Sequence, residues 1–327
     1  MASIREVAQL AGVSPATVSR VMNGTAKVDP QKQERVLQAI AETGFVPNAV
    51  ARSLFKKSAN LIGLIVPSIR NPFFTELAAR LDEAAARSGY RLFLCDAGSG
   101  DLEKEKAALQ MLVSMNADGI ILVSANAEIA DAVSQCPLPV VAVDSLFNTD
   151  CVNAYVYSDD YQGGRMAMEH LLNCGCRCIV CIRGPEGVFS AQGRYEGYRD
   201  VCLEHGLPEQ TVRCDYDFDH GMAMTEELLR IYPNVDGIIA CNDIVAISTY
   251  KILHKQKIAV PEQIQLIGFD DIHLASLMSP ELTTIHQSVR QLADTAMEIL
   301  LRSRREEKNG TRHVLPVKLI QRETTSA

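Results

Sequence analysis

The stretch "IREVAQLAGVSPATVSRVMNG", residues 4–24, sets the character of the chain's start: two short helices divided by a tight glycine turn. Ser3 and Glu6 stand in capping-box spacing for a first helix from Ile4 to Ala11. "AGVS", Ala11 to Ser14, forms the turn. Ser14 suits an N-cap, Pro15 fits the first helical position where no N–H is needed, and Gly24 can take the left-handed conformation that ends a helix. Helix, short turn and helix together make a helix-turn-helix. A third helix, opened by Asp29-Pro30 and ending near Gly44, is expected to bring Val36, Leu37 and Ile40 against Val7, Leu10, Val13, Val18 and Val21. That leaves Pro15, Ala16, Thr17, Ser19, Arg20 and Asn23 for solvent or a ligand. Their chemistry suits DNA, because hydroxyls and an amide can bond phosphate oxygens while an arginine can address a guanine edge through two parallel bonds.

The distribution of charge points the same way. Residues 1–60 hold eight Lys/Arg and four Asp/Glu, a net +4, which leaves -12 for the remainder of a chain whose total is -8. A basic head thus precedes an acidic body. The two are joined by "PNAVARSLFKKSANLIGLIVP", residues 47–67, in which "AVARSLFKK" can make about two turns of helix, too few to be stable alone. Leu54 on such a basic helix fits an apolar wedge inserted between base steps from the minor groove.

From Leu61 onward, apolar runs such as "LIGLIVP", "YRLFLCD" and "DGIILVS" alternate with amphipathic stretches, a βα pattern that implies parallel sheets covered by helices. The pattern restarts at "CIVCIRGP", and "NADGIILVSAN" from Asn116 echoes "NVDGIIACND" from Asn234. Two similar lobes follow, with a ligand cleft between the carboxyl ends of their strands. Asn71, Asp144, Asn242 with Asp243, and Asp270 with Asp271 end predicted strands there, and "NPFF", Asn71 to Phe74, adds two aromatics. Buried sugar hydroxyls need such polar partners, and a sugar ring needs an apolar face. Adjacent strand residues point to opposite faces, so one of Asp270 and Asp271 faces the cleft, and the binding role is assigned to the first.

Other classes fit poorly. The chain has no G-x-G-x-x-G after a strand, no P-loop and no G-x-S-x-G elbow, and its seven histidines are dispersed, so neither an enzyme nor a cofactor or metal requirement is expected. The "CGCRCIVC" run, Cys174 to Cys181, lacks the two separated pairs of a structural zinc site and reads as a turn entering a buried strand. Ten cysteines suit a reducing compartment. No run of eighteen apolar residues exists, and the charged start lacks a signal-peptide core, so a cytoplasmic protein without membrane contact is expected.

The helix-turn-helix, "PNAVARSL", "IGLIVPSIRNPFF", "GRYEGYRD", "CNDIVA", "IGFDD" and "LTTIHQ", in this order and over nearly the whole chain, resemble the lactose-repressor and galactose-repressor family of bacterial transcription regulators. The resemblance implies a homodimeric repressor on a pseudo-palindromic operator. Its parts would be a helix-turn-helix domain over 1–46, a hinge over 47–60, and over 61–327 a periplasmic-binding-protein-like body of two lobes for effector binding and dimerisation. Pro15, Ala16 and Arg20 then occupy base-reading positions, Thr17, Ser19 and Asn23 match phosphate contacts, and Asn48, Ala51 and Leu54 fall in the hinge. The lobes are similar to periplasmic sugar-binding proteins of the ribose type. On that likeness Asn71, Phe73, Phe74, Asp144, Arg194, Phe218, Asn242, Asp270 and Gln287 would bind the effector, ribose or a related pentose. Ser145 departs from it, standing where that pattern has an arginine. A purine corepressor and a phosphoprotein partner are the rival effectors within the family.

Overall fold

The Ser3 hydroxyl accepts the Glu6 amide hydrogen at 3.3 Å while the Glu6 carboxylate accepts that of Ser3 at 2.7 Å, and this reciprocal cap starts helix α1, Ile4–Ala11. In the computed structural model, residues 2–23, 27–45, 59–98, 100–147, 150–303 and 308–326 are described. Gly12 closes α1 with a φ of 64°; Ser14 caps α2, Pro15–Asn23, by accepting the Thr17 amide at 3.2 Å. Asp29 caps α3, Pro30–Thr43, through the Lys32 amide, and Gly44 ends it.

The head core consists of Val7, Ala8, Ala11, Val18, Val36 and Ala39, with Val13, Val21 and Ile40 packed around it. Leu10 and Leu37, expected inside, are each 54% exposed. Residues advance about 100° per step around a helix, so Ala8 and Ala11 share the face of Val7 while Leu10 is carried off it. Alanines at the contact let the helices approach closely, and the larger leucines are turned outward.

The chain divides into two compact units, Met1–Ala59 and Asn60–Ala327. The division falls within the segment read as a hinge, whose Asn48, Ala51 and Leu54 lie outside the described residues, as does Gly24.

The second unit opens with β1 (Leu61–Val66), α4 (Pro72–Arg87), β2 (Arg91–Asp96), α5 (Leu102–Ser114), β3 (Gly119–Leu122), α6 (Ile129–Gln135), β4 (Val140–Val143) and β5 (Ala154–Ser158). It continues with α7 (Asp160–Asn173), β6 (Ile179–Arg183), α8 (Phe189–Glu204), β7 (Thr211–Arg213), α9 (Phe218–Ile231), β8 (Gly237–Ala240), α10 (Asp243–Lys255), β9 (Gln265–Asp270) and β10 (Thr283–His286). Last come α11 (Val289–Arg302), β11 (Thr311–Leu315) and β12 (Lys318–Ile320). Two six-stranded sheets result, in the orders β11-β5-β4-β3-β1-β2 and β12-β10-β9-β8-β6-β7.

All described pairings are parallel except that of β12 with β10, which departs from the wholly parallel sheets expected. The path explains it. β11 runs beside β5 and ends opposite Ser158, and two residues later β12 starts opposite His286, at the carboxyl end of β10. Entering at that end, it can only run back against its neighbours. The chain crosses between the lobes three times, after β5, after β10 and after β11.

Strand alternation builds a core on each side of each sheet. Ile62, Leu64 and Val66 pack with Leu77, Leu81, Leu292 and Met297, whereas Ile65 packs with Leu109 and Leu112. In the second lobe Tyr198 and Val201 of α8 join Ala167 and Leu171 of α7 on one side, and Val245 and Leu253 of α10 join Leu228 of α9 on the other. The cysteine run behaves as a turn between α7 and β6, with Cys176 and Cys181 buried and no disulfide formed. No helix among the described residues is long and apolar enough to cross a membrane.

Helices α7 and α8 touch backbone to backbone. A Cβ on Gly164 would lie 2.0 Å from the Arg194 carbonyl oxygen, and one on Gly197 would lie 2.1 Å from that of Tyr161. Gly197→Ala must push the helices apart and is expected to remove about 1–3 kcal/mol of stability. Urea unfolding checks this, and an unchanged midpoint would show that the contact can relax freely.

Candidate functional site

In the head, Ala16 and Arg20 stand one turn apart on the exposed side of α2, with Pro15 beside them, opposite the buried Val18. Thr17 and Ser19 are half-buried, and the Thr17 hydroxyl lies 3.0 Å from that of Ser14. The side chain of Asn23 is outside the described set. The N-terminus of α2 adds a positive dipole end, which favours a phosphate nearby. All six positions read from the sequence thus share one short helix, Pro15–Asn23, whose other face holds the head together.

In the body, the carboxyl ends of the strands carry the second site. Arg194 projects from the first turns of α8 and is almost fully buried. Its Nε donates to Asp160 Oδ1 at 2.8 Å, its Nη1 donates to the Cys241 carbonyl at 2.7 Å, and its Nη2 lies 3.5 Å from Asp270 Oδ1. The guanidinium also rests 3.7 Å from the centre of the Phe269 ring, a cation–π contact strengthened by burial. Gln287 Nε2 donates to the same Asp270 oxygen at 2.7 Å. Asp144, at the end of β4 in the other lobe, interacts electrostatically with Asp160, Arg194 and Asp270. These residues form one group drawn from both lobes.

Carboxylates outnumber cations here, and their protonation reflects it. Burial, opposed by Arg194, pushes the Asp160 carboxyl up to about 6. Burial pushes Asp270 up to about 7 against the pull of Arg194 and the Gln287 hydrogen bond, with the charges of Asp160 and Glu76 adding to the rise. Asp144 is held well above the usual carboxylate range by burial and by the Asp160 charge. Four buried side-chain atoms on these residues and on Asn242, which follows Cys241, lack a hydrogen-bond partner: Asp144 Oδ1, Asp160 Oδ2, Asn242 Nδ2 and Gln287 Oε1. Backbone strain concentrates at the same place, with positive φ of 52° at Asp144 and 112° at Asp270.

The other residues read from the sequence are placed differently. Asn71 and Asn242 both cap helices, accepting the amides of Phe73 and Val245 at 3.1 and 2.9 Å, so part of their polarity is occupied locally. Phe73 and Phe74 pack edge to face, 5.3 Å apart, in the lobe-one core, where Ile272 of the second lobe joins them. Phe218 opens α9 with the Lys251 ammonium 5.0 Å from its ring centre, and that lysine is not a member of the Arg194 group. Asp271 turns away from Asp270 to Arg322 and His286, at 2.6 and 2.9 Å. Asp243 ties β9 to β10, accepting from the Ile272 amide and the Thr284 hydroxyl. Glu76 crosses the cleft to accept the His273 amide at 3.0 Å.

Asp160 escaped the sequence reading. Asp159 caps α7 through the Gln162 amide, and two consecutive aspartates at a helix start look like ordinary capping chemistry. Only the packing of α7 on α8 turns the second one inward. Among the described residues, one His/Asp group, Asp215, Asp217 and His220, brings its ligand atoms within 4.8 Å. It is an exposed cap at the start of α9: Asp217 accepts the His220 amide and Asp215 lies 2.9 Å from His220 Nδ1.

Comparison with known proteins agrees with both halves. The model for bacterial regulatory proteins of the lacI family matches residues 3–48, and that for a periplasmic binding protein-like domain matches residues 168–325. The ribose operon repressor of Halalkalibacterium halodurans is 39% identical over 326 residues, 99% of this chain and 97% of that protein. A lac repressor dimer bound to operator and the anti-inducer ONPF superposes with a TM-score of 0.90 at 26% identity, over 100% of this chain and 99% of that one. A LacI family regulator from Enterococcus faecium with bound ribose matches at 27% identity and a TM-score of 0.73, over 81% of this chain and 98% of that one.

Asp270 holds its proton up to about 7, against 3.8 for an ordinary aspartate, so it favours the folded state most at low pH and loses that contribution as pH rises through 7. Asp144 and Asp160 act in the same direction. Urea stability is therefore expected to fall between about pH 5 and 7.5, and Asp270→Asn to make that fall shallower. Parallel pH profiles for the parent and the variant would contradict this.

Proposed function

Because the chain belongs to the lacI family of bacterial regulatory proteins, we propose that it is a transcriptional repressor, not an enzyme, that binds a pseudo-palindromic operator as a homodimer and is released by a small sugar. It would work in the cytoplasm, where its DNA target lies. The effector best supported is ribose or a close pentose. What carries this reading is the set of four unpartnered buried polar atoms contributed by both lobes, three of them acceptors and one a donor. A buried polar atom left unpaired costs about 1–3 kcal/mol, and sugar hydroxyls, which both donate and accept, can satisfy all four. The ribose named for the Halalkalibacterium halodurans repressor and bound to the Enterococcus faecium regulator supports the same choice.

Pro15, Ala16 and Arg20 would occupy base-reading positions, with Ala16 and Arg20 dominating readout because Pro15 offers no side-chain donor, while Thr17, Ser19 and Asn23 hold phosphates. Asn48, Ala51 and Leu54 would contact the minor groove at the operator centre. Asp144 from one lobe and Arg194, Asn242, Asp270 and Gln287 from the other would bind the sugar, with Asn71, Phe73, Phe74 and Phe218 bordering it. An effector that prefers the arrangement unfavourable for operator binding lowers DNA affinity by the same factor by which operator lowers effector affinity.

Calorimetric titration with D-ribose, with hypoxanthine and guanine as comparators, tests the effector. Saturable heat at one site per subunit, accompanied by weaker operator binding, is the expected result. Heat with a purine and none with ribose would replace the inducer by a corepressor. For the head, Arg20→Ala should relax base preference at one position in each half-site by about 1–3 kcal/mol. Binding-site selection that returns the parental consensus would remove Arg20 from base readout.

A further inference from the structure

Asp160 is the one carboxylate of the cleft with a double involvement. Its Oδ1 accepts from Arg194 Nε at 2.8 Å, and its Oδ2, equally buried, has no partner. The side chain is 2% exposed. Three carboxylates, Asp144, Asp160 and Asp270, surround a single guanidinium, and Glu76 from the facing lobe and Asp159 from the same helix add further negative charge. Arg194 is the only cation among these groups, and it is already engaged by Asp160, by the Cys241 carbonyl, by Asp270 and by the face of Phe269.

We infer that Asp160 determines the specificity of this cleft: by offsetting the Arg194 charge and presenting a bare carboxylate oxygen, it selects neutral polyhydroxyl ligands over their phosphorylated counterparts. The inference rests on the sugar-binding reading of the cleft. A hydroxyl can donate to the unpartnered oxygen, which accepts only. The phosphate group of an ester offers no such donor when fully ionised, carries between one and two negative charges near neutrality, and would be desolvated beside a guanidinium whose charge Asp160 already offsets. Asp160 also acts through Arg194 as a positioning residue, fixing the guanidinium by its Nε.

The test is titration of the full-length protein with D-ribose and with D-ribose 5-phosphate. The parent is expected to bind the phosphate ester at least about a hundredfold more weakly, the scale of uncompensated like-charge contact. Asp160→Asn keeps an oxygen for Arg194 but removes the charge, and should narrow that gap about tenfold or more. Asp160→Glu, which keeps the charge, should retain it. A purely structural role would weaken both ligands alike and leave the ratio unchanged, and that result in a folded Asp160→Asn protein overturns the inference. Should that variant not fold, the parent decides: equal affinity for the two sugars overturns the inference, and strong preference for ribose preserved in Asp160→Glu supports it. No heat from ribose in the parent removes the sugar reading itself, and this inference with it, which separates the two failures.

Discussion

One buried guanidinium organises the second lobe's half of the cleft. Arg194 can be almost fully buried only because every side of it is answered: a carboxylate from α7, a carbonyl after β8, a second carboxylate at the end of β9 and an aromatic face from the same strand. Removing charge from water is expensive unless geometry and hydrogen bonds restore what hydration provided, and losing one partner strands the other. The glycines at 164 and 197 belong to the same constraint, since only backbone contact between α7 and α8 brings Asp160 within 2.8 Å of Arg194.

That arrangement satisfies the cation and leaves the anions in excess. Carboxylates placed close together in a dry site cannot all ionise, and their upward shifts are the chemical expression of that conflict. Positive φ at Asp144 and Asp270 falls at the same strand ends. Protein interiors avoid such features where packing alone matters, so their coincidence at the strand ends is what the proposed sugar site would account for.

The head was legible because helix ends are written in local chemistry: the Ser3–Glu6 box, Ser14 before Pro15, Asp29 before Pro30, glycine at 12 and 44. Its core was less so. A reading that ranks residues by hydrophobicity prefers Leu10 and Leu37, whereas close helix contact selects Ala8, Ala11 and Ala39, and that selection depends on partners distant in sequence. The parallel sheets followed from βα alternation, but the antiparallel β12 followed from the route of the chain between lobes, which no local pattern records. Within the cleft, Asp270 was singled out from Asp271 with the help of the family resemblance, since alternation alone separates the two without saying which faces the cleft. Asp160 was not distinguishable from a cap residue, because its role is created by the crossing of two helices.

The three passages between the lobes give the cleft its regulatory potential. Asp144 belongs to the first lobe while Asp160, Arg194, Asn242, Asp270 and Gln287 belong to the second, so any relative movement of the lobes changes how many unlike groups face one another. Bringing the lobes together sets a first-lobe carboxylate against second-lobe carboxylates, an unfavourable step unless a proton or a ligand hydroxyl intervenes. A small polyol that donates to both sides would favour the closed arrangement by its differential affinity, and that difference would set the upper limit on how far it can shift the protein. On the sugar-sensing reading, the carboxylate excess would make closure conditional on the ligand, since a better-neutralised cleft would close without it.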